Sequence, residues 1–250
     1  MLAHSRTGEG PPLVLVHGIG LDRAAWDPVL PLLAREREVF AVDLPGFGAS
    51  PLLGGPPTVA ALATAVEELG LDRPHVAGNS LGGGIALELG RRGWAGSVCA
   101  ISPIGFAAGR EGAYARGMLR TIHAMARALD PYAEAAYGGP VRRTALAALI
   151  FARPWKISPA AGAHMNHTTA TGPGFSPTLP EVTSWRPAMP ACPTTIAWGQ
   201  HDRLLITARQ APRAQRWLPH ARHVRLHGCG HVPMWDDPEQ VARAILDAGD

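Results

Sequence analysis

"HVAGNSLGGG", residues 75–84, sets a single serine among glycines at the end of an apolar run. Glycine serves wherever the backbone must take positive φ, and serine is common in turns for its local hydrogen bonds. Alone, the stretch reads equally as a nucleophile on a sharp turn or as a plain glycine-rich turn. Its surroundings separate the two: "RPHVAGNS" has the continuous apolar character of a buried strand, and "LGGGIALELGRRG" reads as the helix leaving it.

The same alternation recurs on both sides. "PPLVLVHG" reads as a strand followed by a helix over "DRAAWDPVLPLLARE", and "REVFAVDLPG" as a strand leading through a loop to the helix "TVAALATAVEELG". Thr58 is placed to cap that helix and Gly70 to end it. "GSVCAISP" is a further strand. From about Ile104 to Pro190 the rhythm turns helical, with Met118, Leu119, Ile122, Met125 and Leu129 at helical spacing and "VRRTALAALIFAR" as another helix stopped by Pro154. The strand pattern resumes with "CPTTIAWGQHD", a helix over 207–218, the strand "ARHVRLHGCGH" and a last helix that begins with Asp237 as cap and Pro238 at its first position. Short strands alternating with helices predict an α/β fold with a mostly parallel sheet covered on both faces. The expected organisation is a core of 1–103 and 191–250 interrupted by a helical cap, or lid, over 104–190.

Composition agrees with one such unit. The chain has 250 residues, 46% of them hydrophobic and 17% charged, enough to bury a sizeable core. The net charge of +3 comes almost wholly from arginine, Lys156 being the only lysine, and is spread thinly. No basic stripe accompanies it, so nucleic-acid binding is not expected. Cys99, Cys192 and Cys229 are far apart and odd in number, which argues against a disulfide framework or a CxxC site and points to a reducing cytoplasm. "MLAHSRTGEG" lacks the apolar region of a signal peptide, and "PPLVLVHGI" is too short to span a bilayer, so neither export nor a membrane partner is expected. Monomer and homodimer stay equally open.

"GNSLG" matches G-x-S-x-G where the motif has mechanical meaning, between a strand and a helix. A serine hydroxyl is a poor nucleophile unaided, so the reading requires a base and a group that orients it. "WGQHD" sets Asp202 just past one downstream strand, and "GCGH" sets His231 just past the next. Both fall at the carboxyl ends of parallel strands, where ligands collect in open α/β sheets. The imidazole of His231 would accept the Ser80 proton, and Asp202 would hold its tautomer. An oxyanion hole would come from the backbone N–H groups of Ile19, in "VLVHGIG", and Leu81, with His17 shaping that turn. Asp43 in "DLPG" reads as a turn residue, Cys229 as a packed thiol and His201 as unassigned. His164 and His167 in "HMNH" lack a third ligand, so no metal is expected, and no cofactor either.

On "HGIG", "DLPGFGAS", "GNSLGG", "WGQHD" and "GCGHVPMWDDPEQV", the chain resembles the α/β-hydrolase superfamily. The order Ser, Asp, His is that family's, and the matches span nearly everything but the cap. The resemblance implies an α/β-hydrolase fold: an eight-stranded, mostly parallel sheet with a helical lid inserted after the sixth family strand. Because about ten residues precede "PPLVLVHG", the first antiparallel edge strand is expected to be missing or vestigial.

A serine at the elbow disfavours the haloalkane dehalogenases and epoxide hydrolases, which use aspartate there. The resulting expectation is a serine hydrolase of carboxylesterase type, acting by an acyl-enzyme on a small or medium, mainly apolar ester, lactone or thioester. Phe106, Tyr114, Met118, Met125, Phe151, Trp155 and Trp185, with Val232 beside the base, suggest the apolar substrate pocket. A carbon–carbon hydrolase of the meta-cleavage type ranks second: that group usually has tryptophan directly after the catalytic histidine, where this chain has Val232, and Arg153 would have to serve as its lid arginine. A non-hydrolytic tailoring enzyme or a ligand receptor on the same fold is the third alternative.

Overall fold

The computed structural model describes residues 2–248. Its strands are β1 (His4–Thr7), β2 (Pro12–Val16), β3 (Glu38–Val42), β4 (His75–Asn79), β5 (Ser97–Ile101), β6 (Thr194–Gly199) and β7 (Arg222–Leu226). They form one sheet in the order β1-β3-β2-β4-β5-β6-β7, all parallel except β1, which pairs antiparallel with β3. Among the described residues the sheet thus has seven strands where the resemblance implied eight, and its antiparallel edge strand is four residues long.

Successive side chains of a strand point to opposite faces, and the strand residues divide accordingly. Val14, Val16, Val76, Val98 and Ile196 enter one core, where α2 (Val59–Glu67) and α3 (Leu81–Arg91) cover the sheet. Leu13, Leu15, Ala77, Cys99 and Ala197 enter the other, covered by α1 (Leu30–Leu33) and the C-terminal helix, α11 (Pro238–Leu246). Thr58 and Asp237 cap their helices through side-chain acceptance of the Ala61 and Gln240 N–H.

One expected helix is not continuous. In place of a single helix over "DRAAWDPVLPLLARE" there is a 3-10 turn, Arg23–Trp26, and then the short α1. Pro28 and Pro31 explain the split, since proline has no N–H to donate and its ring crowds the carbonyl one turn earlier.

Between β5 and β6 the chain makes α4 (Arg110–Leu129), α5 (Ala133–Gly138), α6 (Pro140–Ala147), α7 (Pro159–Thr171), α8 (Phe175–Thr178) and α9 (Glu181–Ser184). This helical insertion lies over the carboxyl ends of the strands, with α7 reaching the turn after β2 and the segment after α6 reaching the loop after β7. α10 (Thr207–Trp217) then follows β6.

The order reverses between β2 and β4, so the segments leaving these two strands diverge to opposite sides and open a crevice. β4 turns into α3 there at very close quarters. A Cβ on Gly78 would collide with the Gly82 carbonyl, and a Cβ on Gly82 with the carbonyls of Val16 and His17. Backbone on both sides leaves nothing to move aside. Gly82→Ala is therefore expected to destabilise the fold by about 3 kcal/mol or more, read as a lower urea midpoint, whereas Gly54→Ala, on an open loop, shifts it little.

Candidate active site

Ser80 occupies the turn with φ 59° and ψ −114°, a conformation non-glycine residues rarely adopt. The surrounding backbone holds it there: its N–H donates to the Ile101 carbonyl at 2.9 Å, and its carbonyl accepts from Gly84 and Ile104 at 3.1 Å. Ser80 opens into a cavity of about 60 Å³ that is also lined by Ile19, Asn79, His231 and Val232. Leu81 begins α3, so its N–H has no intrahelical carbonyl to bond. Gly18, one residue before Ile19, would bring a Cβ to 3.2 Å of the Ser80 Cβ, which sets the turn after β2 directly against the serine.

His231 and Asp202 come from the loops after β7 and β6. Nδ1 of His231 lies 2.7 Å from Oδ2 of Asp202, and both side chains are buried. A carboxylate only accepts, so Nδ1 carries the hydrogen and the neutral ring keeps its lone pair on Nε2. The other carboxylate oxygen, Oδ1, accepts from the Leu204 and Leu205 N–H at 2.9 Å, which fixes the Asp202 side chain from the far side.

Three further residues bear on this geometry without having stood out in the sequence. Asn79 donates through Nδ2 to the His231 carbonyl at 2.9 Å and to the Ile101 carbonyl at 3.2 Å, joining the serine's strand to the histidine's loop. Asp236 is fully buried and accepts from Gly230 N–H at 2.7 Å, Arg153 N–H at 2.6 Å and Ala152 N–H at 3.1 Å. It ties the residue before His231 to the insertion, and the Ile150 carbonyl adds a bond from His231 N–H at 2.7 Å. Thr169 of α7 donates to the Gly20 carbonyl at 2.9 Å and so steadies the turn that bears Ile19. The only local hint of Asp236 was an acid beside the helix-capping Asp237.

His17 is buried and bridges that same turn to the loop after β3: Nδ1 donates to the Gly18 carbonyl at 2.8 Å, while Nε2 accepts from Leu44 N–H at 2.9 Å. Burial holds its pKa below the ordinary histidine value. Asp43 is a turn residue, accepting from the backbone N–H of Arg23 and Ala49 and from the Arg23 guanidinium. Cys229 is buried, and desolvation with the nearby Asp236 and Asp237 pushes its thiol up to about 12. His164 pairs with Asp22 at 2.8 Å and His167 with Asp130 at 3.1 Å. Among the described residues no three His, Cys, Asp or Glu side chains gather as a metal site.

The expected pocket residues separate. Val232 lines the Ser80 cavity. Met118 and Met125 line a second cavity, of about 240 Å³, which shares Leu21, Ile122, Ile150 and Thr169 with the first. Phe106 and Trp155, expected in the pocket, line neither cavity. Phe106 lies before α4 and is fully buried against Trp198 and Trp217, at ring distances of 6.2 and 5.9 Å. Trp155 sits on the 3-10 turn Pro154–Lys156 and is 60% exposed.

A profile described as the alpha/beta hydrolase family matches residues 13–244. The pimeloyl-(acyl-carrier protein) methyl ester esterase of Aromatoleum aromaticum is 33% identical over 249 residues, covering 95% of this chain and 97% of that protein. The enzyme of the same name from Aeromonas hydrophila subsp. hydrophila is 45% identical over 85 residues, 34% of each chain. In fold, the chain is similar to the crystal structure of a hydrolase from Pseudomonas aeruginosa PA01, with a TM-score of 0.77 at 22% identity over 99% of this chain and 93% of that one. Among the described residues no helix is long and apolar enough to cross a membrane.

Two outcomes follow from the buried polar groups. Asp236→Ala leaves three backbone N–H groups, that of Gly230 buried, without their acceptor and is expected to cost about 3 kcal/mol of unfolding free energy by urea titration. His17 is held neutral in the fold, while the unfolded chain protonates it at about pH 6.5; the unfolded state then binds more protons, so stability falls as pH drops below that value. The decline between pH 7 and 5 is expected to be shallower in His17→Asn.

Proposed function

The chain belongs to the alpha/beta hydrolase family, and from that premise we propose that it is a serine hydrolase acting through an acyl-enzyme on a small or medium, mainly apolar ester, lactone or thioester. The observation that carries this reading is that Ser80, on its positive-φ turn, and His231, bonded to the buried Asp202 at 2.7 Å, face one cavity. In the proposed reaction the Ser80 oxygen attacks the substrate carbonyl as its proton passes to Nε2 of His231. Asp202 keeps the proton of Nδ1 in place and stabilises the imidazolium. The N–H groups of Ile19 and Leu81 receive the oxyanion, and the positive end of α3 adds to that stabilisation. Collapse breaks the bond to the leaving group, which takes the proton from His231. Water, deprotonated by His231, then attacks the acyl-enzyme, and the acid departs as Ser80 regains its proton.

Ester chemistry ranks above carbon–carbon cleavage because a relative matched over 97% of its length is named a methyl ester esterase. Val232, in place of the tryptophan expected of meta-cleavage enzymes, supports the same ranking. In this reading the helical insertion serves as the cap that closes the site from water. The three unpaired cysteines support a cytoplasmic setting.

Ser80→Ala is expected to lower turnover of p-nitrophenyl acetate by about a thousandfold or more with an unchanged circular dichroism spectrum. A fluorophosphonate is expected to label wild-type Ser80, located by mass spectrometry. Retention of near wild-type rates by the variant would overturn the assignment.

A further inference from the structure

We propose that the 240 Å³ cavity inside the helical insertion seats an unbranched aliphatic chain of the substrate, which makes medium-chain esters or thioesters the substrate class. This rests on the serine-hydrolase reading of Ser80. The cavity at the serine, about 60 Å³, has a quarter of the volume of the 240 Å³ chamber. A substrate too large for the smaller cavity must extend through one of its walls. Leu21, Ile122, Ile150 and Thr169 are common to both cavities, and that shared wall leads into the insertion between α4, α6 and α7.

The chemistry of the walls selects what enters. No formally charged side chain lines this chamber, so a carboxylate or ammonium there would lose its hydration with no counter-charge in return. Its polar side chains are the uncharged Thr121, Tyr137, Asn166 and Thr169; Nδ2 of Asn166 donates to the Ala126 carbonyl at 3.0 Å, and the Thr121 and Thr169 hydroxyls donate to the Gly117 and Gly20 carbonyls. Three methionines, Met118, Met125 and Met165, give the walls unbranched, polarizable side chains that adapt to a flexible chain. Met125 is 48% exposed, so the chamber reaches the surface of α4 and a longer chain can run on into solvent.

The test compares p-nitrophenyl acetate with the octanoate, and ethyl acetate with octyl acetate, to place the chain on the acyl or the alcohol side. In one of the two series kcat/KM is expected to rise by at least about tenfold from the short to the long chain. Leu146→Trp, which fills the chamber from α6 far from the reacting atoms, is expected to erase that gain while leaving the short esters within about twofold of wild type. Normal turnover of the short esters also reports that the variant folds. Long chains giving no advantage in either series, or a variant that slows short and long esters alike, overturns the chamber while leaving the ester reading standing. Calorimetry with 1-octanol on Ser80→Ala separates the two in the other direction. Saturable binding, weakened at least about tenfold by Leu146→Trp, supports the chamber even if no ester is turned over, and absence of binding overturns it.

Discussion

Between β4 and α3 the backbone reverses in a space that admits no side chain at Gly78 or Gly82, and Ser80 takes φ 59° as a result. Such a conformation costs on the order of 1–3 kcal/mol. It persists because the elements around it leave no alternative: α3 is buried along nearly its whole length, and the Ser80 peptide groups bond to Ile101, Gly84 and Ile104. The same closeness brings the end of β2 against the serine, so the turn carrying Ile19 and the helix start carrying Leu81 meet at one point. Every other part of the site is positioned relative to this approach of backbone to backbone.

The helical insertion is fastened to both halves of that site. On one side α7 binds the turn after β2, through Thr168 and Thr169 to the Gly20 carbonyl and through His164 to Asp22. On the other, the segment following α6 binds the His231 loop, through the Ile150 carbonyl and the Asp236 carboxylate. A displacement of the insertion therefore acts on the turn bearing Ile19 and on the His231 loop together. The two cavities share walls for the same reason, since Ile150 belongs both to the clamp on His231 and to the passage into the insertion.

Local signals made much of this legible. The strands ending at Asn79 and Gly199 are legible as apolar runs closed by glycine or polar residues, and Thr58 and Asp237 mark the helices they cap. Signals that compete within a few residues were harder to resolve. Helical spacing over 22–36 predicts one helix, yet in the structure the N–H groups that Pro28 and Pro31 lack divide it. Aromatic and methionine content pointed to an apolar pocket without showing which side chains reach it. Phe106 and Trp155 have the right chemistry, but one is locked into the core beside Trp198 and the other faces solvent.

The sequence by itself determined the order of strands and helices, the glycines that permit the sharp turn, and the serine, acid and histidine at three strand ends. These follow from side-chain periodicity and backbone preference, which act over a few residues and are written in neighbouring letters. Only the tertiary structure decided which distant groups meet. Asp236 lies 84 positions from the Ala152 N–H it accepts, and Thr169 lies 149 from the Gly20 carbonyl it holds. No local pattern records such pairings, because they arise from the burial of polar groups that must find partners wherever the packed layers bring them together.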